Sequence, residues 1–149
     1  MNYALSPSIW RLPESRGVSS YAFDIDQQSA SALMHAGFGS VAKQRPLEEL
    51  ESIVSEHDLL ATRRGSTIVD RAVSFLAAVP VGVSPPEVSL DPDGEVAFDW
   101  RVGDDLVSVS LGANGSLAYA WDLDDVPDSG SSKFNGSLPK ELAAALSHF

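Results

Sequence analysis

Residues 95–123 are EVAFDWRVGDDLVSVSLGANGSLAYAWDL, and this stretch decides the fold. Apolar and polar side chains alternate along it with a period of two, which is typical of β-strands that have one buried face. Gly103-Asp104-Asp105 and Asn114-Gly115 interrupt the alternation, as turns between antiparallel strands do. The side chains predicted to point inward are Val96, Phe98, Trp100, Val107, Val109, Leu111, Leu117, Tyr119 and Trp121.

The flanking residues extend this sheet and cover it. Asp91-Pro92-Asp93-Gly94 predicts a further turn, which joins a short strand at Glu87–Leu90 to the stretch above. The result is a four-stranded antiparallel meander. Residues 124–136 are polar and are predicted to form a loop, in which residues 129–132 are flexible. A helix over residues 137–149, with Leu138, Leu142 and Leu146 on its apolar side, then completes the core.

The residues before the sheet follow a helical period instead. Helices are predicted from Asp26 to about His35, from Pro46 to a stop at Gly65, and from a cap at Ser66 to Pro80. Residues 1–22 are rich in Pro, Ser, Gly and Arg and predict a loosely structured lead-in. We therefore expect one α+β domain over residues 1–149, with a helical part at 23–80 and the sheet and last helix at 86–149.

Composition narrows the classes of function. There is no cysteine, which excludes disulfides and thiol chemistry, and the hydrophobic content of 44% is that of a globular protein. No signal sequence or membrane span is visible, so we expect a cytoplasmic protein. The net charge of −11 should repel nucleic acid and anionic membranes, so neither is an expected partner.

Nearly all of this charge lies in the predicted sheet. Residues 87–132 contain eleven acidic residues and one basic residue, Arg101. The acids of the turns need no functional explanation, because Asp is a common turn residue. Six of the remaining acids are predicted to share the outer sheet face or its edge, and they form the candidate partner-binding set: Glu95, Asp99, Asp122, Asp124, Asp125 and Asp128.

Residue patterns for catalysis and cofactors are weak. No histidine pair has metal-ligand spacing, and no Gly-x-Ser-x-Gly motif is present, so we expect neither an enzyme nor a cofactor. Asp91-Pro92-Asp93-Gly94-Glu95 lacks the glycine and glutamate that a calcium-binding EF-hand loop requires. The carboxylates from Asp122 to Asp128 could bind a divalent cation, and a metal-binding protein or metal-assisted enzyme is the first alternative.

Several turn and core residues resemble a family of small uncharacterised bacterial and mobile-element proteins. The matching elements are Asp91-Pro92-Asp93-Gly94-Glu95-Val96 followed by Trp100, the Asn114-Gly115 hairpin, and Phe134 with Leu138-Pro139 and Leu142. The resemblance covers residues 66–149. It implies a shared fold in a bacterial or phage protein and no particular activity.

These observations favour a non-enzymatic, acidic protein-binding module of the inhibitor, antitoxin, immunity or anti-defence kind. Its acidic face would dock on a basic surface of a partner protein, for which a nucleic-acid-binding surface is one candidate. A second alternative is a homo-oligomeric assembly protein, such as a homodimer, in which an exposed sheet edge pairs with another copy.

Overall fold

The computed structural model describes residues 41–149, with side chains from Lys43 onward. The predicted lead-in at 1–22 and the predicted helix from Asp26 to about His35 lie outside this range. The elements in chain order are α1 (Val41–Glu56), a 3-10 helix (Leu59–Ala61), α2 (Arg63–Ala78), β1 (Glu87–Leu90), β2 (Val96–Val102), β3 (Asp105–Leu111), β4 (Ser116–Leu123), β5 (Val126–Lys133) and α3 (Lys140–Leu146).

The predicted α+β class is confirmed, but the meander has five strands rather than four. The strands lie in the order β1-β2-β3-β4-β5, and each pair is antiparallel. The predicted loop after β4 is wrong, since β5 pairs with β4 from Leu123↔Val126 to Ser116↔Lys133. Asp124 and Asp125 both have positive φ, 53° and 61°, as a two-residue hairpin turn of type I′ requires.

The predicted β1–β2 and β3–β4 hairpins are confirmed, and the geometry of their turns differs from that of the β4–β5 turn. In the β3–β4 turn, Gly115 N donates to the Gly112 carbonyl and Gly112 N to the Ser116 carbonyl, both at 2.9 Å. Gly115 has a φ of +81°, whereas Asn114 is not among the positive-φ residues. This is a type I turn followed by a left-handed glycine, and Asp91–Gly94 has the same hydrogen-bond pattern.

One face of the sheet forms the core with the helices. Of the residues predicted to be inward, all are buried except Trp121 and Leu138, which are half-buried. Phe75 of α2 stacks on Phe98 with ring centroids 4.5 Å apart, and Trp100 and Phe134 complete the aromatic cluster. Within residues 41–149 the helices therefore lie on one side of the sheet, and none of them covers the opposite side.

The predicted helix boundaries at Pro46, Gly65 and Ser66 are wrong. Pro46 lies inside α1 rather than in its first turn, where its missing N–H removes one helical hydrogen bond. Gly65 does not end a helix but lies in the first turn of α2, which is capped by Thr62 instead of Ser66. Thr62 Oγ1 accepts from Gly65 N at 3.0 Å, as an N-cap hydroxyl does.

Helix α1 is tied to both neighbours by charged side chains. Lys43 Nζ donates to the Val79 carbonyl at 2.9 Å, at the end of α2, and burial lowers the pKa of this ammonium below its ordinary 10.5. Glu49 Oε2 accepts from Val88 N of β1 at 2.8 Å, while Arg45 holds the other carboxylate oxygen at 2.9 Å. These contacts fix α1 against the β1 edge of the sheet.

Candidate functional site

The sheet surface opposite the helices, termed the outer face, is built from short side chains. Strand register gives its two central rows. One row is Ser89, Ala97, Ser110, Ala118 and Ser131, and the next is Glu87, Asp99, Ser108, Ala120 and Ser129.

The outer face is open along its second half. Ala118, Ala120, Ser129 and Ser131, on β4 and β5, are all exposed. Towards β1 the face is less open, and Ala97 is 8% exposed. An exposed strip of alanine and serine allows close approach of another surface, because no long side chain must be displaced.

Two of the predicted acids are held on this face by serines of β3. Ser108 Oγ donates to Asp99 Oδ1, and Ser110 Oγ donates to Glu95 Oε2, both at 2.5 Å. Ser108 lies directly opposite Asp99 in the register of β2 and β3, whereas Ser110 lies opposite Ala97 and reaches Glu95 diagonally, just before β2 begins. These hydrogen bonds restrict the rotamers of both carboxylates and hold their charges in place before any partner arrives.

The predicted set does not form one continuous cluster. Asp99 lies in the middle of the outer face, and Asp122 lies on the same face near one end. Glu95 lies at the opposite end, next to the β1–β2 turn. Asp128 pairs with Trp121, whose side is the one the helices cover, so its side chain lies on the face opposite Asp122.

The structure collects acids at one end of the sheet, and the sequence analysis missed two of them. In a meander the β2–β3 and β4–β5 turns lie at the same end, which brings the two turns together. Asp124 N donates to Asp105 Oδ1 at 2.9 Å, a direct link between them. This acidic end consists of Asp104, Asp105, Asp122, Asp124, Asp125 and Asp128, all but Asp105 exposed.

The sequence analysis left out Asp104 and Asp105 because each is predicted to lie in a turn, and the structure places both at the β2–β3 turn. The signal that could have found them was the topology. Alternate hairpins of a meander share an end, so acids 20 residues apart in sequence become neighbours. Arg101 is the basic side chain nearest to them on the strands, and it is exposed.

Basic side chains are concentrated at the other end, where they hold the fold together. Arg71 Nε donates to the Ala113 carbonyl at 2.9 Å, and Arg64 Nη2 donates to the Asp93 carbonyl at 3.2 Å. Each arginine thus joins α2 to one hairpin turn. Acids and bases are mixed at this end, since Asp91, Asp93 and Glu95 lie in or next to the β1–β2 turn, whereas the acidic end carries six acids.

Each edge of the sheet has N–H groups that are occupied or missing. On β1, the Val88 N–H points away from β2 and donates to the Glu49 carboxylate. On β5, the two-residue turn directs Pro127 and Ser129 outward. Proline has no N–H to offer, and the Ser129 N–H is already held by Asp128 Oδ1 at 2.8 Å. Two such features blunt an edge that would otherwise recruit another strand.

Metal-binding geometry is absent from the part of the chain that the structure describes. No three His, Asp or Glu side chains of residues 41–149 come together as a ligand set. The predicted metal alternative at Asp122–Asp128 therefore has no preformed site within these residues. In the same range, the helices are all too short or too polar to span a membrane.

Comparison with known proteins adds no relative. No family model matches the chain. No curated protein matches it either, and no solved structure does. The resemblance to small bacterial and mobile-element proteins therefore stays a prediction.

Proposed function

We propose that this protein is a non-enzymatic binding module, of the inhibitor, antitoxin, immunity or anti-defence kind, which docks a basic protein surface on its acidic sheet. The observation that carries the proposal is the exposed strip of short side chains on β4 and β5, bordered by the acidic end. The strip supplies a flat contact area, and the carboxylates supply the sign of charge that selects the partner.

The proposed docking surface keeps four of the six predicted acids. It comprises Asp99, Ala120, Asp122, Asp124 and Asp125, together with the serines between them. Glu95 is left out because it lies at the opposite end of the sheet, and Asp128 because its side chain lies on the other face.

Protected edges support docking through the face rather than through a strand. A partner that added a strand to β5 would meet Pro127 and the occupied Ser129 N–H. A face contact uses side chains alone and leaves these groups undisturbed. The same reasoning argues against self-assembly through the sheet edge, and a homodimer is an outcome of the experiment below.

Capture from host lysate with matched charge variants tests the proposal. The test variant is Asp99→Asn, Asp122→Asn and Asp124→Asn combined. The control removes three charges elsewhere, by Glu48→Gln, Glu56→Gln and Asp70→Asn, so that net charge is equal in the two variants. We expect a basic protein to be retained by the wild type and the control and lost from the test variant.

Salt provides a second readout of the same contact. At about 0.5 M salt the Debye length falls to roughly 4 Å, and steering by exposed carboxylates is screened. Retention should therefore weaken as salt is raised. Equal loss of the captured protein from both charge variants would assign retention to net charge alone and contradict the proposed surface. Capture of a second copy of this chain as the sole partner would also contradict it.

A further inference from the structure

A cleft of about 660 Å³ lies at the end of the sheet away from the acidic end. It is bounded by the first turn of α2 and by the β3–β4 turn, and its lining includes Arg63, Arg64, Thr67, Glu95 and Asn114. This volume is within the range of small-molecule sites in proteins, roughly 300–1,000 Å³. The cleft plays no part in the proposed docking surface.

One wall of the cleft is cationic. Arg64 is positioned by its hydrogen bond to the Asp93 carbonyl, which leaves its other guanidinium nitrogens for a ligand. The Arg63 guanidinium is exposed and makes no hydrogen bond or ion pair within the described residues. Guanidinium groups recognise carboxylate and phosphate through paired N–H donors.

The opposite side of the cleft presents oxygen atoms around Gly112. A Cβ placed on Gly112 would lie 2.9 Å from Asn114 Oδ1 and 3.1 Å from Glu95 Oε1, so these two oxygens flank the glycine. Glu95 Oε1 makes no hydrogen bond within the described residues, whereas Asn114 Oδ1 already accepts one from Ser116 N at 2.8 Å. The free carboxylate oxygen of Glu95 is therefore the acceptor that an ammonium group would find on this side of the cleft.

The two sides keep their charges apart. Glu95 is held by Ser110 through Oε2, and no ion pair joins it to an arginine within residues 41–149. If Glu95 reached Arg63 or Arg64, the two charges would neutralise each other and the cleft would have no polarity. The separation leaves a positive wall and a negative wall for one ligand to bridge.

We propose that this cleft binds a small zwitterion that carries an ammonium group and an anionic group, of which a free amino acid is the simplest. The anionic group contacts Arg63 and Arg64, and the ammonium group donates to the Glu95 carboxylate on the opposite side. Because these residues are separate from the docking surface, the cleft can be occupied or empty whether or not that proposal holds.

The test is an NMR titration of the ¹⁵N-labelled full chain with an equimolar mixture of the twenty standard amino acids, and then with each one. We expect amide shifts confined to residues around Gly112 and the start of α2, with dissociation constants below about 10 mM. Acetate and methylamine each carry one of the two charges. Each should bind at least about tenfold more weakly than the best amino acid, since each lacks one set of charge-assisted hydrogen bonds.

Matched variants assign the contacts. Arg63→Ala should weaken binding about tenfold or more, whereas Arg101→Ala, which removes another exposed arginine, should leave it unchanged. Glu95→Gln should weaken binding of the amino acid but not of acetate, and Asp122→Asn serves as its control. Melting temperatures show that each variant is folded.

Three results would overturn the proposal. They are no shift with any amino acid, an acetate affinity equal to that of the best amino acid, or equal binding by Arg63→Ala and the wild type. The second result would make the cleft a simple anion site. Loss of partner capture in the charge variants described above has no bearing on these outcomes, so the two proposals fail separately.

Discussion

Replacing Gly65 with alanine reverses the usual effect of that substitution in a helix. Gly65 lies in the first turn of α2, where helix propensity alone predicts a gain of about 1 kcal/mol for alanine. A Cβ at this position would lie 1.8 Å from the Leu59 carbonyl oxygen and 2.6 Å from its carbon. Both are backbone atoms of the adjoining 3-10 helix, so no change of rotamer relieves the contact.

The size of the effect follows from the displacement required. Reaching 3.0 Å, which real Cβ atoms almost never go below, needs about 1.2 Å of movement between α2 and the 3-10 helix. Overpacking costs about 1–3 kcal/mol, and a backbone clash belongs at the upper end. After the gain in propensity is subtracted, Gly65→Ala should lower the free energy of unfolding by about 2 kcal/mol.

Urea denaturation followed by tryptophan fluorescence measures this change. We expect the midpoint to fall by about 1 M and the melting temperature by about 8 °C. Ser74→Ala is the control, because Ser74 is exposed on the same helix, and it should gain about 0.3 kcal/mol from propensity. A Gly65→Ala protein as stable as the wild type, or more stable, would refute the close approach and with it the geometry of the adjacent cleft.

Three further changes test the sheet. Gly130→Val should lower the free energy of unfolding by about 1–3 kcal/mol, because a Cβ there would lie 2.6 Å from the Tyr119 ring. Ser131→Val, on the outer face, is its control and should lower it by under about 0.5 kcal/mol in the same urea denaturation. Glu49→Ala should lower the free energy of unfolding by about 1–3 kcal/mol, because the Val88 N–H of β1 loses its hydrogen-bond acceptor. Glu48→Ala is the control, since Glu48 is exposed and adjacent, and it should leave stability unchanged. Equal losses in the two variants would contradict the contact between Glu49 and β1. Pro127→Val should raise the apparent mass in light scattering by exposing the β5 edge, and an unchanged mass would show that proline does not protect it.

Where apolar periodicity and turn residues coincide, the sequence predicts the structure well. Phe98 and Trp100 are buried as predicted, because their strand alternates between two strong turns. The left-handed glycines at Gly94 and Gly115 are also predictable, since few other residues adopt that conformation at low cost. Both signals come from residues that are close together in sequence, so they can be recognised without knowledge of the rest of the fold.

Strand β5 shows where local signals end. Residues 126–133 contain proline, glycine and three serines, which disfavour a strand on propensity. They form one because the Asp124-Asp125 turn aligns them with β4, and because Gly130 leaves room for the Tyr119 ring. The pairing energy comes from a neighbouring strand, so a scale that scores one segment at a time cannot detect it.

The sequence likewise predicts only part of the candidate site. The pattern placed Asp99 and Asp122 on the outer face, and the register agrees. It could not show that Asp104 and Asp105 join Asp124 at one end, nor that Glu95 belongs to a cleft at the other. Those relations depend on the order of strands and on the position of α2, which no single segment encodes.

Site-specific photo-crosslinking tests the central claim, that the outer face is the docking surface. A photo-crosslinking residue is placed at Ala120, in the exposed strip, or at Ala144, an equally exposed alanine on α3. In native host lysate at about 0.05 M salt, we predict a covalent adduct with one basic protein from position 120 that disappears at about 0.5 M salt, and none from position 144. No adduct from position 120, or the same adduct from both positions, would contradict the claim.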